Sequence, residues 1–221
     1  MAEPLPLRPA QGLCIRARQK GLAAARPCPS FAGMDTSLNL DTRTGLPVHL
    51  RVLAEKYPKA DWQGHANFNN MTAFWLDRHL MFRKLLGQLS DEAVTAFDNG
   101  PGPRFAPNLQ RMAGFFLNQL HSHHHIEDEH YFPQFLPLDA RLEQGFEILD
   151  ADHHVLDHHI HAFADHTNRV LRQIQDGSGA HDEIGRFHEM QQRFATFLDR
   201  HLTDEEEIIV PLVLEYGPDF D

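Results

Sequence analysis

The strongest regularity along the chain is a stripe of positions spaced three and four apart. From about Ala66 it runs through Phe68, Thr72, Trp75, His79, Phe82, Leu86 and Leu89, which predicts an amphipathic helix. In SDEAVTAFDNGPGPRFAP, Ser90 is placed to cap a further short turn of helix before the Gly/Pro cluster breaks the chain. A second helix is predicted from about Pro107, with Met112, Phe116, Leu120, His123 and Glu127 on one face and Pro133 near its end. The third carries Phe146, Leu149, His153, Leu156, Ile160 and Phe163, then Val170 and Ile174, and stops at the DGSG turn, residues 176–179. The fourth starts near Asp182 and turns Phe187, Met190, Phe194, Leu198, His201, Glu205 and Ile208 inward. Upstream, LPVHLRVLAEKYP predicts a short helix with Pro47 in its first turn and Pro58 at its end. Alternation with a period of two is absent, so no sheet is expected. Four long helices joined by moderate connections predict an all-α, up-down-up-down four-helix bundle.

Composition narrows the function. The 221 residues suit one domain with a substantial core, and no stretch approaches the roughly 20 apolar residues of a membrane span. A formal charge of −11 disfavours nucleic acid, whose binding needs basic surface against phosphates. The only cysteines, Cys14 and Cys28, lie outside the helical region, so neither a disulfide framework nor a cysteine-based metal site is expected. A reducing, cytoplasmic setting follows as the expectation. Residues 1–33 are rich in Pro, Ala and Arg, with Glu3 the only acid, and are expected to form a disordered tail. Such a stretch is also compatible with a targeting segment, or with a functional chain that begins at Met34. Residues 34–65 are then an N-terminal arm and residues 66–221 the bundle.

Seventeen histidines against 20 Lys and Arg demand an account. Each helix has one on its apolar face near its middle: His79, His123, His153 and His201. A single histidine there is usually a packed core residue with a satisfied hydrogen bond. Four together, two of them followed one turn later by Glu127 and Glu205, are different, because a buried carboxylate costs several kcal/mol, roughly, unless a cation compensates it. A repeat supports this. HHHIEDEHYFP from His123 and HLTDEEEIIVP from His201 share HxxxE, five further residues and a proline. Helical periodicity explains the matching apolar positions but not the matching His, Glu and Pro. Imidazole suits Zn, Cu, Fe and Ni, and two carboxylates able to bridge favour a pair of iron or manganese ions over a closed tetrahedral zinc.

Through DRHLMFR, HHHIEDEHYFP, DADHH and HLTDEEEIIVP, residues 66–216 resemble the hemerythrin-like (HHE cation-binding) family. The resemblance implies a non-heme di-iron site, two Fe ions with Mn as the variant, in which Glu127 and Glu205 bridge and His79, His123, His153 and His201 are terminal ligands. A small oxidant, either a diatomic such as dioxygen or nitric oxide, or peroxide, is the implied partner. Oxygen-carrying hemerythrins have an HxxxH pair on the third helix and an Asp five positions after the fourth-helix His. Here His154 and His158 form the pair about 100° from the His153 direction, and Glu206 holds the fifth position. Iron–sulfur repair members place an extra ligand between the first two helices, where this chain has no His between His79 and His121. His124 and His158, flanking the main set, are therefore candidates to complete an iron or to hydrogen-bond a ligand.

His121, His125, His159, His161 and His166 are expected at the solvated surface, as are Asp77, Asp152, Asp157 and the DEEE run at 204–207 apart from Glu205. Carrier, sensor and enzyme share this ligand set, so the sequence assigns no reaction. The rival expectation is an iron-handling or signalling protein whose bundle is stabilised by metal, or an iron–sulfur-repair-like factor.

Overall fold

The computed structural model describes residues 36–217, so the expected disordered tail at residues 1–33, with both cysteines, lies outside the described residues. Among the described residues there is no strand. The described residues form six α-helices: α1 (Val52–Lys56), α2 (Asn70–Asn99), α3 (Phe105–Ile126), α4 (Phe132–Phe135), α5 (Glu143–Asp176) and α6 (His181–Tyr216).

The helix boundaries have local causes. Asn69 sets the start of α2: its Oδ1 accepts from the Thr72 backbone N–H at 2.9 Å and from Thr72 Oγ1 at 3.0 Å, the work of a helix cap. The helix then runs unbroken for 30 residues. The separate turn capped by Ser90 does not exist; the Ser90 hydroxyl instead faces His188 Nδ1 at 3.4 Å. Nothing stops α2 until Gly100, whose φ of 80° only glycine adopts easily. The sequence between Pro47 and Pro58 also differs from expectation, forming a 3-10 turn, Val48–Leu50, and then α1, with Arg51 between them.

Past Ile126 the chain widens into a π stretch, Glu127–Tyr131, before resuming as α4. The Phe132 N–H reaches back to the Glu127 carbonyl, five residues away. Pro133 explains the distortion: it has no N–H to give to the carbonyl four residues back, and its ring crowds that carbonyl. The repeat partner Pro211 lies inside α6 without ending it, so the two halves of the repeat differ in backbone.

The described chain resolves into two compact units, and each long helix contributes a segment to both. One contains residues 79–123 and 156–198. Its core is aromatic: Phe82, Phe116, Phe163, Phe187 and Phe194 are fully buried, with Phe116 meeting Phe163 at 5.6 Å and Phe163 meeting Phe187 edge-on at 5.3 Å. Each such ring contributes about 1.5–3 kcal/mol by burial. The other contains residues 36–78, 124–155 and 199–217 of the described chain. Its core joins Leu46, Leu50 and Leu53 from the arm to Trp75, Phe132, Phe146, Leu149, Ile208 and Leu212. In each unit, segments of the long helices pack around the core they share, and the all-α helical bundle is the architecture the periodicity predicts.

Candidate metal centre

In the second unit three imidazoles converge in the interior. His124 comes from the last turn of α3, His153 from α5 and His201 from α6, and all are buried. His153 Nδ1 meets Asp128 Oδ1 at 2.8 Å, and His201 Nδ1 meets Asp152 Oδ2 at 3.2 Å. An ionised carboxylate only accepts, so each ring donates from Nδ1 and turns Nε2 inward. The two Nε2 atoms stand 3.2 Å apart. That spacing is a hydrogen bond when a proton lies between them. It is also close to the roughly 3.0 Å that separates two ligands set at right angles about 2.1 Å from one ion. His124 stacks on His153 at 4.2 Å and 14° and completes a trio whose ligand nitrogens all lie within 4.8 Å of one another.

Two carboxylates join them. Glu127, the first residue of the π stretch, approaches His153 Nε2 at 3.6 Å, and Glu205, one turn after His201, approaches His201 Nε2 at 3.6 Å. Both are buried. Burial pushes Glu127 up to about 8, against the pull of His153. Burial, followed by the Glu127 charge, pushes Glu205 well above the usual carboxylate range. Burial pulls His153 down, but Asp128 outweighs it, with Glu127 and Glu205 adding to the pull, and its pKa rises to about 9. These are the shifts of buried anions that lack enough positive charge and hold protons in its place. The donor set, neutral nitrogens with carboxylate oxygens in a dry interior, fits a transition-metal ion and not Ca²⁺ or Mg²⁺, which prefer all-oxygen shells.

The other unit holds a second histidine pair. His79 on α2 and His123 on α3 face each other with their Nε2 atoms 3.1 Å apart and their rings edge to face. Phe82 packs against His123 at 5.2 Å between centroids.

The hemerythrin HHE cation-binding domain family matches residues 70–213. The chain belongs to that family. No curated protein and no solved structure matches it.

In this HHE domain the residues picked from the sequence fall into two sets. His153, His201, Glu127 and Glu205 gather in one unit, and His79 pairs with His123 in the other. The two secondary candidates separate. His124 is buried in the trio, more deeply than His123, whereas His158 is exposed on α5. His125 and His161 are exposed as expected.

Two surface expectations are overturned. Asp152 is 2% exposed, because Arg43 from the N-terminal arm pairs with it and His201 donates to it. In the DEEE run, Asp204 and Glu206 are buried as well as Glu205, held by Arg43 and by Lys59 at 2.8 and 2.6 Å respectively. Sequence reasoning missed Arg43, Asp128 and Asp152. Asp128 had one signal, its place beside an inward Glu; Arg43 had none, since it precedes every periodic segment.

Proposed function

We propose that this HHE domain is a non-heme di-iron protein that binds or senses a small oxidant: dioxygen, nitric oxide or peroxide. The observation that carries the reading is the set of three buried imidazoles beside two buried carboxylates, with the His153 and His201 Nε2 atoms 3.2 Å apart. In this reading the residues that would hold the metal are His124, His153 and His201 with Glu127 and Glu205 in one unit, and His79 with His123 in the other. Manganese suits the same donors.

Bound iron would supply an open coordination position and electrons for the oxidant. The protein supplies the rest. Asp128 and Asp152 fix the Nδ1 protons of His153 and His201, which keeps the Nε2 atoms aimed inward. His153, with its raised pKa, carries a proton at Nε2 in the metal-free protein and must release it on loading. Phe132, stacked on His153 at 5.5 Å, and Phe82 against His123 keep water from the imidazoles.

The test is optical. Protein loaded anaerobically with ferrous iron should gain a charge-transfer band on adding dioxygen, nitric oxide or peroxide. Iron uptake with no spectral response to any of the three would favour the second reading, an iron-handling or signalling protein whose fold is stabilised by metal. The buried Glu127 and Glu205 support that alternative too, because they make folding depend on a cation.

A further inference from the structure

Arg43 lies far from the motifs that define the family, in the arm that precedes α1, yet it is 7% exposed. All three of its guanidinium nitrogens donate. Nη1 donates to Asp152 Oδ1 at 2.7 Å and to the Leu38 carbonyl at 3.0 Å, Nη2 donates to Asp152 Oδ2, and Nε donates to Asp204 Oδ2 at 2.8 Å. The fork on Asp152 is the two-point geometry that a guanidinium provides and an ammonium does not. Asp152 in turn accepts from His201 Nδ1 at 3.2 Å. A line of contacts therefore runs from the arm to an inward-facing imidazole: Leu38 carbonyl, Arg43, Asp152, His201. Arg200 ties the same arm from the other side, donating to the Thr44 carbonyl at 2.7 Å and to Asp204, but it makes no hydrogen bond to Asp152.

We propose that Arg43 is a positioning residue of the metal centre, fixing Asp152 so that His201 keeps its proton on Nδ1 and presents Nε2 as the ligand atom. The inference rests on the metal reading above and extends it to a residue outside the bundle. Asp152 can orient His201 only while its carboxylate is held in one rotamer, and the Arg43 fork holds it there. Without the guanidinium nothing would hold the carboxylate in that rotamer, and His201 would lose the acceptor that fixes its tautomer. Partners of this kind, one bond behind a ligand, change metal affinity by about 10–100-fold.

The experiment compares full-length wild type, Arg43→Met and Arg200→Met on two readouts. The first is the His201 Nδ1–H resonance in metal-free, ¹⁵N-histidine-labelled protein, assigned by its loss in His201→Gln. The second is ferrous affinity, measured anaerobically against a competing chelator. Arg43→Met should lose the resonance and bind about 10–100-fold more weakly. Arg200→Met, which loosens the arm without touching Asp152, should keep both. Arg43→Met with the wild-type resonance and affinity overturns the proposal. So does Arg200→Met with losses equal to those of Arg43→Met, since the arm would then act only as a clamp. If Arg43→Met does not fold, Arg43→Lys carries the test: it keeps the charge but not the fork, so both readouts should fall, and unchanged values overturn the proposal. Wild type that takes up no ferrous iron would defeat the metal reading, while the resonance in metal-free protein would still decide the role of Arg43.

Discussion

His124 and His158 differ by burial alone, and that difference is a prediction. Both lie one position beyond or near the expected ligands, but His124 stacks on His153 in the interior whereas His158 is exposed. His124→Ala should weaken iron binding by about 10-fold or more, and His158→Ala should leave it unchanged, as measured by anaerobic titration. Equal effects would mean that the trio is not the ligand set. The carboxylates predict a pH dependence. Glu127 is raised to about 8 when folded, so between its unfolded value of 4.5 and about 8 the native state holds the extra proton, and stability falls as pH rises through that window. His153, raised from 6.5 to about 9, acts in the same direction, its contribution complete below 6.5 and lost as pH climbs through 9. His159 and His166 are lowered, chiefly by burial, and their opposite contribution is complete above 6.5. Metal-free protein should therefore melt at progressively lower temperature from pH 6.5 to 9, and Glu127→Gln with Glu205→Gln should flatten the fall and raise the melting temperature at the alkaline end. A flat wild-type profile, or a double variant no more stable than wild type, would mean that the carboxylates are not buried together.

Helices α2, α3, α5 and α6 were legible because their buried faces follow one period: from Thr72 to Leu89, from Met112 to Glu127, from Phe146 to Phe163 and from Phe187 to Ile208, nearly every expected inward residue is inward. What the period could not carry was anything that changes its phase. The π stretch after Glu127 depends on Pro133 acting on residues before it, and Pro211 at the matching position leaves α6 intact, so the same local signal has two outcomes set by tertiary packing. Ser90 looked like a cap because its neighbours Asp91 and Glu92 suit a first turn, yet with Gly100 the next residue to break the period the helix simply continues. Packing between helices also gives a prediction from two glycines. A Cβ on Gly145 would stand 2.8 Å from Ile208 Cδ1, and Ile208 is fully buried, so Gly145→Ala should cost about 1–2 kcal/mol. Gly87, exposed within α2, has nothing within 4 Å of the same atom, and Gly87→Ala should stabilise by roughly 0.5–1 kcal/mol. Urea unfolding of the two variants should separate them in sign, and destabilisation by both would remove the close approach of α5 to α6 from the account.

At the scale of the whole molecule the sequence carried the class and most of the candidate donors but not the groups that hold those side chains in place. His153, His201, Glu127 and Glu205 repeat with the helices, so pattern finds them. Asp152 and Asp204 resemble surface residues until Arg43, more than a hundred positions earlier, is brought against them, and no local pattern encodes a pairing at that distance. No described helix is long and apolar enough to cross a membrane. On the proposed metal reading the buried Glu127 and Glu205 tie folding to a cation, because burial raises both carboxyls and a metal would supply the positive charge they lack. Iron-loaded protein should accordingly melt at higher temperature than metal-free protein, by an amount that grows with free iron. The most direct measurement of the central claim is the metal content of wild-type protein after anaerobic loading with ferrous iron and removal of excess. The account predicts close to two irons per chain, falling in Glu127→Ala and Glu205→Ala and unchanged in His125→Ala; one zinc per chain with no uptake of iron would contradict it.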